Sequence, residues 1–137
     1  MSDSGIGIVE SREWRHAEVP STNLYATAKG VAMVYAALLD TGGPVSPAPL
    51  ADARSTPVDG EDRVLQTRSR FGLGFQLHRE KPPIGTSADS FGHYGFADPT
   101  AGLAVGYVPN RPGDRWQIPR SRRLLAALAQ QVESLSS

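Results

Sequence analysis

Cysteine is absent from the 137 residues, which excludes disulfides, cysteine-based zinc sites and thiolate nucleophiles. Lysine is nearly absent too: only Lys29 and Lys81 occur, and the residues three positions before them are Ala26 and His78. A Ser-x-x-Lys pair, in which an amine takes the proton that makes a serine hydroxyl nucleophilic, is therefore missing, as is Gly-x-Ser-x-Gly. Neither sign of charge predominates, with 14 basic against 14 acidic residues. A broad basic surface for a phosphate backbone is not available, and nucleic acid is not an expected partner. Long apolar runs are lacking as well. The longest, Val31 to Leu39, is nine residues, less than half of the roughly 20 that a helix needs to cross a bilayer. No membrane association is expected. The first residues, Met1-Ser-Asp-Ser-Gly-Ile-Gly, carry acid where an export leader carries base, so the expected compartment is the cytoplasm.

What remains is 39% apolar residues with 14 glycines and 11 prolines, enough for a single domain, residues 1–137, with its own core. The first twenty residues show no sustained period and predict little regular structure. Thr27 to Asp40 is almost wholly Ala, Val, Met, Tyr and Leu and runs into Thr41-Gly42-Gly43-Pro44, a glycine stop and a proline that cannot extend a helix. This helix is apolar on most sides, which predicts packing between layers. Residues 43–66 hold Pro44, Pro47, Pro49 and Pro57 and predict a long proline-rich loop with at most one short helix.

Two stretches alternate with the period of a strand. Arg70 to His78 sets Phe71, Leu73, Phe75 and Leu77 against Gly72, Gly74, Gln76 and His78. Gly102 to Val108 sets Leu103, Val105 and Tyr107 against Ala104, Gly106 and Val108. In both, one face is small enough for a helix to lie close upon it. Pro119 then opens a segment with Leu125, Leu128, Val132 and Leu135 on one stripe, an amphipathic helix. The order predicts an α+β fold: an antiparallel sheet packed against N- and C-terminal helices.

Among chemistry-bearing residues, His16, His78 and His93 are far apart and none stands at metal-ligand spacing with another, so no metal site is expected. Gly5-Ile-Gly7 and Gly72-Leu-Gly74 do not extend to a phosphate-cradling loop, and no cofactor is expected. Arg120-Ser-Arg-Arg123, with Arg111 and Arg115 nearby, reads as solvated surface ahead of a helix.

Phe91-Gly-His-Tyr-Gly-Phe-Ala-Asp-Pro-Thr-Ala-Gly-Leu-Ala-Val-Gly-Tyr-Val-Pro-Asn110 resembles the third conserved region and following strand of the serine β-lactamase-like family, its carboxylesterase branch in particular. In that branch His-x-Gly replaces Lys-Thr-Gly, and His93-Tyr94-Gly95 and Gly106-Tyr-Val-Pro-Asn110 match these elements. Glu18 to Asn23 leading into Thr27 to Leu38 is similar to the family's helix, and Phe71-Gly-Leu-Gly-Phe75 to a preceding strand. The resemblance covers roughly residues 10 to 135 and implies the C-terminal portion of a β-lactamase/transpeptidase-like domain.

By this resemblance His93, Tyr94, Gly95 and Phe96 are vestigial substrate-binding residues, with the Phe96 amide at the oxyanion-donor position. The resemblance supplies no catalytic residue, because the family's nucleophile, its lysine and its Tyr-x-Asn motif all belong to regions without a counterpart here. Ser21-Thr22-Asn23 spells a Ser-x-Asn in the approach to a helix and reads as helix entry. The family's glycine-rich turn after His-x-Gly is shortened, His-x-Gly and Gly-Phe-Ala-Asp-Pro sharing Gly95. The expected function is thus a truncated serine hydrolase fragment without hydrolase activity alone. It would self-associate or join a complementing N-terminal fragment, and it would meet an ester or lactam only if so complemented. The alternative is a non-catalytic interaction module that pairs through its exposed sheet; no charge interrupts the strand faces at Leu73, Phe75, Val105 or Tyr107.

Overall fold

The structure, a computed structural model, describes residues 8–19, 24–55, 58–64, 66–79, 84–93, 95–109 and 119–135. Among the described residues, helices α1 (Arg12–His16), α2 (Ala28–Leu39), α3 (Pro47–Ser55) and α4 (Pro119–Leu135) accompany six strands. These are β1 (Val58–Asp62), β2 (Thr67–Phe71), β3 (Gln76–Leu77), β4 (Phe91–Gly92), β5 (Gly95–Asp98) and β6 (Leu103–Gly106). They form one antiparallel sheet in chain order, β1-β2-β3-β4-β5-β6. The α+β class expected from the element order is the one observed.

Helix α2 begins where the Thr27 hydroxyl accepts from the Gly30 amide at 3.0 Å, a side-chain cap on an otherwise unpaired donor. It ends at Asp40, whose carboxylate accepts from the Gly42 amide and whose carbonyl accepts from the Gly43 amide. Gly43 is required there, since a Cβ would lie 2.0 Å from the Ala37 carbonyl oxygen. The helix lies on the small face of β6, where a Cβ on Gly106 would stand 2.1 Å from the Ala28 carbonyl oxygen. Val31, Tyr35, Leu38 and Leu39 face a core of Leu50, Leu77, Phe91 and Ala97. Its other side is open: Met33 and Val34 are 61% and 62% exposed. The expectation of a helix packed between two layers is corrected accordingly; among the described residues one layer covers it.

Two further expectations are corrected. Arg70 to His78 is not one strand but β2, a turn over residues 72–75 and β3, with Phe71 opposite Gln76. The Gly72 amide donates to the Phe75 carbonyl, Gly74 has φ +83°, and a Cβ on Gly72 would strike the Ala53 carbonyl oxygen at 2.0 Å. Both glycines serve this reversal, and it carries Leu73 out to 69% exposure. The segment 43–66 is not a long loop: it holds α3 and β1. The β1–β2 turn is shaped by Asp62, whose carboxylate accepts from the Val64 amide. The described part of the first twenty residues holds the five-residue α1, capped by the Ser11 hydroxyl accepting from the Trp14 amide, in keeping with the little regular structure expected there.

Helix α4 is present over the expected residues, with Leu125, Leu128 and Val132 half-buried and Leu135 exposed. Edge strand β1 is acidic and its charges meet those of β2. Asp59 stands opposite Arg70 and Glu61 opposite Arg68, and the Arg68 Nε donates to the Asp59 carboxylate at 2.9 Å. Charges on an edge discourage pairing with another chain. No described helix is long and apolar enough to cross a membrane.

Candidate functional site

The β4–β5 connection is a tight reversal. Gly92 is paired with Phe96, leaving only residues 93–95 between them, and a Cβ on Gly92 would fall 2.0 Å from the Gly95 carbonyl oxygen. Only glycine permits that crossing. His93 therefore stands at the strand end, exposed, with its ring tilted at 44° to the Phe71 ring and 6.4 Å from it. The residue is exposed as a whole, but partial desolvation of the imidazole pushes its pKa below the ordinary value.

A helix residue fixes this turn. The buried Tyr35 hydroxyl of α2 accepts from the His93 amide at 2.7 Å and donates to the His93 carbonyl at 3.0 Å. Gly95, at the far end of the turn, faces the same helix: a Cβ there would come within 2.7 Å of Val31 Cγ1 and 2.9 Å of Tyr35 Cε2. Phe96 lies in β5 with its ring buried, paired with Gly92 on one side and Val105 on the other. Tyr94, Ser21, Asn23 and Asn110, also singled out in the sequence, lie outside the described residues.

Behind the turn is a second polar cluster. Asp98, fully buried, accepts hydrogen bonds from the hydroxyls of Thr86, Ser87 at 2.7 Å and Ser90 at 2.8 Å, and from the Ala101 amide at 3.1 Å. Burial alone would raise its pKa, but these donors outweigh burial and bring it down to about 2. Ser90 also accepts from the amides of Thr86 and Ser87. These serines are donors to a carboxylate too weakly basic to take a hydroxyl proton, so the arrangement braces a loop and does not activate a nucleophile. The sequence reading missed both Tyr35 and Asp98. Tyr35 stood in an apolar stripe and Asp98 in a turn-like Asp-Pro, and neither position announces its partner.

The family described as Beta-lactamase matches residues 1–130. The chain belongs to the β-lactamase family. Its solved relatives include a family VIII carboxylesterase, 32% identical with a TM-score of 0.79 over 92% of this chain and 37% of that one. A penicillin-binding protein homologue from Caulobacter crescentus is 36% identical, with a TM-score of 0.76, over 87% of this chain and 36% of that one. EstA from Arthrobacter nitroguajacolicus Rue61a is 31% identical, with a TM-score of 0.66, over 82% and 33%. The chain thus spans about a third of the length of these β-lactamase-family structures. No curated protein matches it. Among the described residues no group of three or more His, Asp or Glu side chains is placed to hold a metal ion.

Proposed function

We propose that this chain forms one wall of the acyl-transfer site of an esterase-type β-lactamase-family hydrolase and has no hydrolase activity alone. The observation that carries this reading is a turn held in place at His93 in a chain that lacks the Ser-x-x-Lys pair. Both lysines stand outside Ser-x-x-Lys spacing, and Ser87 and Ser90 donate to Asp98. In the complete reaction a serine from a complementing N-terminal fragment attacks an ester or lactam carbonyl, and its proton passes to a base supplied with it. The alcohol or amine leaves with a proton, and water then hydrolyses the acyl-serine. The His93 turn would border the carbonyl's substituents in that site. Intact-mass measurement after incubation with a fluorophosphonate tests the first half: no adduct is expected, and a single stoichiometric adduct would overturn the reading.

A second reading, a non-catalytic module that pairs through its sheet, is favoured by one observation. Among the described residues β6 has a partner strand on one side only, and it lacks the charges that line β1. Self-association at micromolar concentration in analytical ultracentrifugation would support it; a monomer with a cooperative melt would sink it.

A further inference from the structure

In an antiparallel ladder a residue exchanges both of its backbone hydrogen bonds with one residue of the next strand. His93 makes both bonds, yet their partner is a single side-chain oxygen, the Tyr35 hydroxyl, at 2.7 and 3.0 Å. We propose that Tyr35 is the positioning residue of the candidate site: its hydroxyl stands in for a strand partner at His93 and fixes the direction in which the imidazole leaves the β4–β5 turn. Calling the turn a site rests on the reading above; the latch itself does not.

The ring is held as firmly as the hydroxyl. Tyr35 is buried, belongs to the core cluster with Phe91 and Ala97, and closes on Gly95 so nearly that a Cβ there would meet its Cε2 at 2.9 Å. One side chain thus meets His93 just after β4 and Gly95 at the start of β5. Burial raises the hydroxyl's pKa, so it stays protonated and serves as donor and acceptor together. The consequence is chemical. With its amide and carbonyl already engaged, any part His93 plays toward a ligand falls to the imidazole, and its peptide is not an oxyanion donor.

Amide exchange of the 15N-labelled full chain tests this. In the unaltered protein the His93 amide should be protected as strand amides are, although it lies in a turn. Tyr35→Phe removes only the oxygen. It should speed exchange at His93 by about tenfold more than at Ala97 or Val105, as befits loss of one local hydrogen bond. The His93 imidazole resonances should move while those of His16 and His78 stay. Leu38→Ala, on the same helix, serves as the control for general weakening and should raise these amides together. Unprotected exchange at His93 in the unaltered protein, or equal acceleration at His93 and Ala97 in Tyr35→Phe, would overturn the proposal. The first comparison holds even if the variant does not fold. Titration with a phenyl methylphosphonate monoester, followed at the His93 imidazole, separately judges the reading of the turn as a site.

Discussion

The Ser90 hydroxyl donates to Asp98 Oδ2 at 2.8 Å, and both side chains are fully buried. The same carboxylate gathers Thr86, Ser87 and the Ala101 amide, tying the loop before β4 to the turn after β5. Asp98→Asn keeps the shape but replaces one acceptor oxygen with a donor facing hydroxyls. It should cost about 3 kcal/mol, the scale for disrupting a buried, hydrogen-bonded charge. Urea unfolding followed by circular dichroism measures the loss, and an unchanged midpoint would contradict the bracing role.

Acid should destabilise the protein through the same residue. The carboxyl titrates near 2 when folded against 3.8 in a free side chain. A depressed folded value means that its contribution is fully present above the unfolded pKa and fades as pH falls through 3.8 toward 2. The stake is about 2 kcal/mol. Melting temperature measured from pH 5 to pH 2 should fall more steeply for the unaltered chain than for Asp98→Asn.

How much of this was legible in the sequence depended on whether a residue's neighbours in space were also its neighbours in pattern. Helix α2 was readable because composition and a glycine stop coincide, and the small face of β6 because alternation marks it directly. The β2–β3 reversal was not. Phe71, Leu73, Phe75 and Leu77 keep the strand period through a turn, and only the contact of Gly72 with Ala53 and the positive φ of Gly74 reveal the bend. Strand β1 escaped because its residues are mostly charged, its stability coming from cross-strand partners rather than from a buried face. In the candidate site, His93, Gly95 and Phe96 were singled out by resemblance, whereas Tyr35 is separated from His93 by 58 residues and carries no local mark.

Gly106→Ala should be strongly unfavourable. The new methyl would sit 2.1 Å from the Ala28 carbonyl oxygen and 2.8 Å from the Ala32 nitrogen, and helix backbone cannot give way as a flexible side chain does. A loss of about 3 kcal/mol, at the upper end for overpacking, is expected in thermal or urea unfolding. Gly60→Ala, where a Cβ meets nothing within 4 Å, is the comparison.

Arg54 should matter more than an ordinary surface arginine. Its guanidinium lies 4.8 Å from the centroid of the Phe91 ring and donates to the Asp89 carbonyl at 3.0 Å. Arg54→Ala should cost about 1 to 2 kcal/mol from the lost stacking and hydrogen bond. Arg54→Lys should recover only part of it, since an ammonium lacks the planar fork that stacks and donates together. Unfolding of the three proteins side by side decides the order.

The sheet runs in chain order, each strand beside its predecessor, so five of its pairings can form by closing short segments in succession. Helix α2 is the exception: Leu50 and Leu77 offer its face only part of a core, and its close seat against Gly95 and Gly106 needs β5 and β6. The Tyr35 bond to His93 closes a loop of 58 residues, and joining distant positions carries an entropy cost that grows with separation and slows folding. Assembly of the meander should therefore precede full docking of α2, and a ribosome releasing this chain would leave the helix only partly seated until β6 emerged.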